Sequence, residues 1–340
     1  MKKYDFPKHL SNYLSKYLPG QKNASKNTIT SYCDTFKLFL TFCEGEKKMK
    51  PEKICISDIT KELIVEYLNW LESRRECSIA TRNHRLAVIH SFFHYIQKES
   101  PENMHEIQKI LSIPVKKHPK TIVPYLTGDE TQILLAQPNP SSYEGYRDMV
   151  LLSVLYDTGA RVQELVDIKV KDVRLITPAV VTLHGKGSKI RTVPIIGTTA
   201  NLIKTYLDKK KYNAGIAKGD NYLFVNQKQQ QLSRWGISYI LDKYVEMAKS
   251  YPEFQVRFPV TPRVLRHSKS MHLLQSGVNL IYIRDFLGHV DCSTTEVYAR
   301  ADSEMKRKAI ENAYVDLVPD EIPRWEEDGN LMQWLSDLCK

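Results

Sequence analysis

One tyrosine, Tyr298, stands in the polar, charged run STTEVYARADSEMKRK, from Ser293 to Lys308. In such a setting a phenol either half-buries its ring and leaves its hydroxyl in water, or it reacts as a nucleophile. With 19 tyrosines in the chain, the residue type alone decides nothing. Other groups able to do chemistry stand in four stretches. Arg161 follows a Gly-Ala turn in DTGARVQELVDIKVKDV, and Lys186 stands between two glycines in LHGKGSKIRTVPI. Arg266 and His267 lie near the start of TPRVLRHSKSMHLLQSGV, and His289 precedes Tyr298 by nine residues in IYIRDFLGHVDCSTTEVYAR. Guanidinium forks stay protonated and hold two oxygens at once. A lysine can donate a proton, and a phenol among cations has a lowered pKa. The chemistry open to this set is work on an anionic, oxygen-rich group.

Positioning these groups takes a mainly helical chain. Ile29, Tyr32, Cys33, Phe36, Phe39, Leu40 and Cys43 recur at steps of three and four, the signature of one apolar helical face. Leu63, Tyr67, Leu68 and Leu71 repeat it, and a third helix opens at the cap Ser78 and turns Leu86, Ile89, Phe93 and Ile96 inward. Residues 8 to 112 thus read as a small helical bundle. SIPVKKHPKTIVP then interrupts regular structure with Pro114, Pro119 and Pro124 and reads as a basic linker. Thr127 and Glu130 have capping-box spacing, and a helix from Tyr143 to Thr158 stops at Gly159. VKDVRLITPAVVTLHGKGSKIRTVPII alternates β-branched residues around GKGSK, which predicts a small antiparallel sheet with Lys186 at a hairpin tip. Further helices are expected at about 197–210, 233–250, 263–276, 279–287 and 292–313.

At 340 residues and 42% hydrophobic content the chain can bury two cores. Forty-nine lysines and arginines against 39 acidic residues give a net charge of +10, which favours a polyanionic partner. Cys33, Cys43, Cys55, Cys77, Cys292 and Cys339 form no C-x-x-C pair and no zinc spacing, and read as reduced core thiols. MKKYDFPKHL lacks the apolar stretch of a signal peptide, and no apolar run reaches the ~18 residues of a membrane span. The expectation is a cytoplasmic, nucleoid-associated protein with no membrane partner.

Taken together, TGAR–QEL, GKGSKIRTVP, LRHS–HLL–G and LGH–TT–Y resemble the tyrosine recombinase, or phage integrase, family of lambda-integrase and Xer-like proteins. The resemblance covers about Leu126 to Ala313 by motif and the helical N-terminal lobe by architecture. It implies a mainly α protein with a small antiparallel β-sheet, built as an N-terminal helical bundle (a SAM-like core-binding domain) and an α+β catalytic domain. The expected division is 1–113 for the DNA-binding bundle, 114–125 for the linker, 126–316 for the catalytic domain and 317–340 for a C-terminal tail.

The activity implied is cleavage of one DNA strand by Tyr298, giving a 3′-phosphotyrosyl link and a free 5′-hydroxyl. Arg161 and Arg266 match the two arginines that hold the scissile phosphate, Lys186 the hairpin acid and His289 the last histidine. Glu164 either orients a catalytic side chain or is a plain surface carboxylate. The chain departs from the family at Arg263, where histidine or lysine is usual. An arginine can hold a phosphate oxygen but cannot act as a base, its pKa lying above about 12. Proton removal from Tyr298 then falls to His289, water or the phosphate. No metal, ATP or other cofactor is expected, because guanidinium, ammonium and imidazole groups carry the positive charge.

Double-stranded DNA with a specific recombination site is the expected partner. Arg82, Asn83 and Arg85 either meet DNA or form an ordinary solvated helix face. Lys116 and Lys117 of the linker and Lys189 of the hairpin are further candidate DNA contacts, and Arg191 either touches a phosphate or pairs with a carboxylate. Leu331, Met332, Trp334, Leu335 and Leu338 make the tail amphipathic. It either docks on a neighbouring protomer of a DNA-bound tetramer or folds back on its own domain. The biological setting expected is integration or excision of a mobile element or prophage. Arg263 raises the alternative of a catalytically weakened DNA-binding regulator of the same fold that needs an accessory or partner recombinase.

Overall fold

Ser25, Thr60 and Ser78 each accept the backbone N–H three residues on, and so open α2 (Lys26–Lys47), α3 (Lys61–Ser73) and α4 (Ile79–Glu99). These belong to a computed structural model that describes residues 4–117, 123–185, 187, 189–209, 219–288 and 330–338. Lys186, His289, Tyr298, the expected helix at 292–313, Cys292 and Cys339 lie outside the described residues. The chain divides into two compact units, Met1–Thr121 and Ile122–Lys340.

In the first unit α1 (Phe6–Asn12) runs on through a wider turn of helix to Gln21, and α5 (Met104–Leu111) closes the bundle. Aromatic rings fill its centre. Phe92 meets Phe36 edge-on at 5.1 Å and Tyr13 at 5.2 Å between ring centroids, geometries that the ring quadrupole favours. The Tyr13 hydroxyl, buried with its ring, donates to Ser91 Oγ at 2.8 Å. The apolar faces expected on α3 and α4 are buried in full. On α2 the expectation fails for Cys33, which is exposed: the buried face is Thr35, Phe36, Phe39, Phe42 and Cys43. The residues buried on α2 recur at 35–36, 39 and 42–43, and Cys33 falls off that stripe. Burial pushes the Cys43 thiol up to about 12, so it is inert.

The second unit opens with α6 (Gly128–Leu135), whose capping box joins Thr127 and Glu130 reciprocally. Its centre is α7 (Tyr143–Thr158), a helix buried on most sides that stops at Gly159 in the left-handed conformation, φ +54°. After α8 (Val162–Asp167) come β1 (Val173–Arg174), β2 (Val180–His184) and β3 (Ile190–Pro194), an antiparallel sheet in the order β1-β2-β3. Leu183 pairs with Arg191 and His184 with Ile190. Among the described residues α9 (Gly197–Lys209), α10 (Arg234–Ala248), α11 (Pro262–Gln275) and α12 (Leu280–Leu287) follow. A short helix, Leu331–Leu338, exposes Leu331, Met332 and Leu335. The fold is therefore mainly α with one small antiparallel sheet. Among the described residues no helix is long and apolar enough to cross a membrane.

Gly159 sets the direction of everything that follows α7. A Cβ there would sit 3.1 Å from Leu287 Cδ2 and 3.3 Å from the Phe286 ring, in a left-handed conformation that costs an L-residue about 1–2 kcal/mol. Gly159→Ala should therefore lower the stability of the second unit by at least about 1–2 kcal/mol, read as a drop in Tm; an unchanged melting curve would show that the turn does not need glycine.

Candidate active site

A single carboxylate organises the site. Glu164, in the first turn of α8, is 3% exposed. Its Oε1 accepts from Arg161 Nη1 at 2.8 Å and from Arg191 Nη1 at 2.9 Å. Its Oε2 accepts from the Arg161 backbone N–H and from Arg191 Nη2, both at 2.8 Å, with Arg266 Nη1 4.0 Å away. Burial alone would push its pKa up, but the hydrogen bonds from Arg191 and Arg161 and the charge of Arg191 outweigh it and lower the pKa to about 2. The carboxylate is charged at every physiological pH and remains outnumbered by the guanidiniums around it.

The three arginines also take up backbone carbonyls that helix ends leave without partners. Arg266, 5% exposed, donates to Gly159 O beyond α7 and to Leu287 O at the end of α12, both at 2.6 Å. Arg191 Nε donates to Phe286 O at 3.0 Å, and Arg161 Nη2 reaches Gly288 O at 3.4 Å. Three consecutive carbonyls at the negative end of α12 thus meet three cations, the arrangement the helix dipole favours. Gly288, with φ +62°, ends α12 and lies so close to Arg191 that a Cβ would fall 3.0 Å from its Cδ. The residues brought together are Arg161, Arg191 and Arg266 around Glu164; His289 is next after Gly288 in the sequence.

Arg263, also on α11, is exposed. Its Nε donates to His267 Nε2 at 3.1 Å, which puts the imidazole proton on Nδ1. Burial, then the charges of Arg263 and Arg266, lower the His267 pKa to about 4, so the ring is neutral at pH 7. Of the hairpin candidates, Lys189 is exposed, and its backbone carbonyl accepts from the Gly185 N–H at 2.7 Å to close the hairpin neck.

Ser268 and His272, which stand within LRHS–HLL–G but have no role assigned there, hold α11 in place. Ser268 Oγ accepts the Leu126 N–H at 2.8 Å, and His272 Nε2, one turn further, donates to Leu126 O at 2.9 Å. Tyr156 of α7 completes the His272 ring with a 2.7 Å hydrogen bond to Nδ1. The available signal was polar spacing of four residues on the buried side of α11. Lys269 adds an ion pair with Asp157 of α7 at 3.6 Å.

In the first unit, most of the candidate DNA contacts are engaged internally. Arg82 is buried and donates to Pro114 O and to Asn83 Oδ1. Asn83 grips the Lys116 backbone in both directions, at 2.8 and 3.0 Å. Arg85 donates to Ser31 O and Thr35 Oγ1, and Lys116 Nζ to both oxygens of Glu72. Lys117 is exposed. Together these contacts fasten residues 114–116 to α3 and α4, and α4 to α2. Among the described residues no group of three or more His, Cys, Asp or Glu side chains could hold a metal ion.

Comparison with known proteins bears on this geometry. Residues 124–305 match the Phage integrase family, and residues 10–102 match the Phage integrase, N-terminal SAM-like domain. The chain is 35% identical over 330 residues to the "Putative integrase/recombinase y4rC" of Sinorhizobium fredii, covering 97% of each. It is 30% identical over 310 residues to tyrosine recombinase XerC of Pelotomaculum thermopropionicum, covering 90% of this chain and 97% of that one. Its fold is similar to that of the XerH site-specific recombinase bound to difH substrate, with a TM-score of 0.65 at 22% identity, covering 88% of this chain and 84% of that one.

Glu164 carries a pH signature. A carboxylate whose folded pKa lies below its ordinary 4.5 stabilises the fold above that value and loses the contribution as pH falls toward about 2. Glu164→Gln leaves guanidiniums without their buried counter-charge and should cost about 3–5 kcal/mol at pH 7. In a series of thermal melts the gap to the unmodified chain should shrink steadily below pH 4.5; a gap independent of pH would mean that charge is not what Glu164 contributes.

Proposed function

We propose that this chain, which belongs to the phage integrase family and is a tyrosine-type site-specific recombinase acting on DNA, cleaves and rejoins strands through a 3′-phosphotyrosyl intermediate on Tyr298. The Tyr298 oxygen attacks the scissile phosphorus and the bond from phosphorus to the 5′-oxygen breaks. Lys186 gives a proton to that leaving oxygen, and the phenol proton goes to His289 or water. Rejoining is the same displacement in reverse, with the 5′-hydroxyl of the original or a partner strand as nucleophile, so no external energy source enters. Arg161 and Arg266 supply fixed positive charge for the non-bridging oxygens, where charge accumulates as nucleophile and leaving group align. Arg263 adds a phosphate contact without acting as a base.

What carries the reading is the convergence of Arg161 and Arg266, from segments more than a hundred residues apart, on Glu164 and on the carbonyls of Leu287 and Gly288. These carbonyls stand immediately before His289 in the sequence. Cations held this way need no rearrangement when the phosphate arrives, which is where their catalytic value lies. Arg161 keeps 43% of its side chain exposed and so can meet a ligand. The N-terminal bundle, residues 1–113, takes a share of DNA gripping, and the tail, 317–340, docks on a neighbouring protomer in a tetrameric synapse during integration or excision of a mobile element or prophage.

A second reading, a DNA-binding regulator that depends on a partner recombinase, draws on Arg263, whose guanidinium is tied to His267 where the family has a titratable group. One experiment separates the two. A nicked duplex bearing a site that the full-length chain selects from a randomised pool should trap an SDS-resistant protein–DNA adduct, absent from Tyr298→Phe. Arg161→Ala and Arg266→Ala should slow its formation by roughly 10²–10³-fold. Adduct formation by Tyr298→Phe would rule out the assigned nucleophile, and DNA binding with no adduct from the unmodified chain would favour the regulator.

A further inference from the structure

Arg191 sits on the wrong side of its strand for a charged residue. It pairs with Leu183 across the β2–β3 ladder, and paired residues project from the same face of a sheet. Leu183 is fully buried, so the guanidinium faces inward, while its neighbour Ile190 is 64% exposed. Burying a guanidinium costs free energy unless it is paired and hydrogen-bonded. Here the Nη atoms bridge both oxygens of Glu164, and Nε meets the Phe286 carbonyl. The fork shape matters, since an ammonium cannot span two carboxylate oxygens and a carbonyl at once.

The hairpin neck rides directly on this pair. A Cβ on Gly185 would come 3.2 Å from Glu164 Oε1 and 4.0 Å from Arg191 Nη1. The neck closes above it through the Gly185 N–H donating to Lys189 O at 2.7 Å. One guanidinium therefore ties the base of the hairpin to α8 and to the end of α12. The residue that follows Gly185 in the sequence is Lys186, outside the described residues.

We infer that Arg191 is a positioning residue for the β2–β3 hairpin: its clamp on Glu164 and the Phe286 carbonyl seats the neck Gly185–Lys189 and so fixes the point from which position 186 serves the leaving oxygen. Arg191 itself touches neither phosphate nor leaving group. The inference rests on the phosphotyrosyl reading, with Lys186 as the acid.

Replacing the 5′-bridging oxygen of the scissile phosphate by sulfur tests it. Water, as a model alkoxide, has a pKa of about 15.7 and a thiol about 8.5, so a 5′-thiolate departs when the phosphorus–sulfur bond breaks without taking a proton. The full-length chain and its Arg191→Met variant are compared on oxygen and sulfur versions of the nicked duplex, cut at the position mapped from the trapped adduct. Arg191→Met should slow adduct formation roughly 10²-fold with oxygen, the scale of a small misplacement of a catalytic group, and fall within about threefold of the unmodified chain with sulfur, where no acid is needed. Arg191→Lys keeps the charge beside Glu164 but not the fork. It should show the same contrast, and it carries the comparison if Arg191→Met does not fold. Equal slowing on both duplexes overturns the hairpin assignment while leaving the phosphotyrosyl reading intact. An unmodified chain that forms no adduct with either duplex sinks that reading, and the inference with it.

Discussion

A buried carboxylate surrounded by guanidiniums is the constraint on which the second unit depends. Glu164 alone could not stay charged at 3% exposure, and the arginines beside it could not be held so close without it. The arrangement works because each partner has further neutral acceptors. Gly159, Phe286, Leu287 and Gly288 offer carbonyls that their helices leave unsatisfied. The same bonds that satisfy helix ends also aim the cations. Stability and site geometry are therefore one problem here, and a change at Glu164 is felt by both.

The two left-handed glycines act with this network. Gly159 turns the chain from α7 into α8 so that Arg161 arrives at the cap position, and Gly288 ends α12 hard against Arg191. Neither contributes a side chain; each lets the backbone pass where a Cβ would collide. The motif glycines and the motif arginines are thus parts of the same packing solution.

Much of the fold was legible in the residues. The cap at Ser78, the capping box at Thr127 and Glu130, the stop at Gly159 and the hairpin about GKGSK are local signals, and local chemistry decides them. Arg161 and Arg266 stood out because their motifs are short and ordered. What could not be seen was which partner a polar side chain would choose. Arg191 reads equally well as a phosphate ligand or an ion-pair member, and its carboxylate lies 27 positions away. Arg82 looks like a solvated arginine on a helix's first turn, but the return of the chain at Pro114 covers it. Ser268 and His272 gain meaning only once Leu126, more than 140 residues earlier, lies beside them. Such choices depend on tertiary proximity, which periodicity does not encode.

The grip on Leu126 has a mechanical consequence. Both hydrogen-bonding groups of this fully buried residue are taken by α11, the helix that carries Arg263 and Arg266. The first buried stretch of the second unit is thereby held in register with the arginine-bearing helix by hydrogen bonds to its main chain, much as a cleat holds a rope.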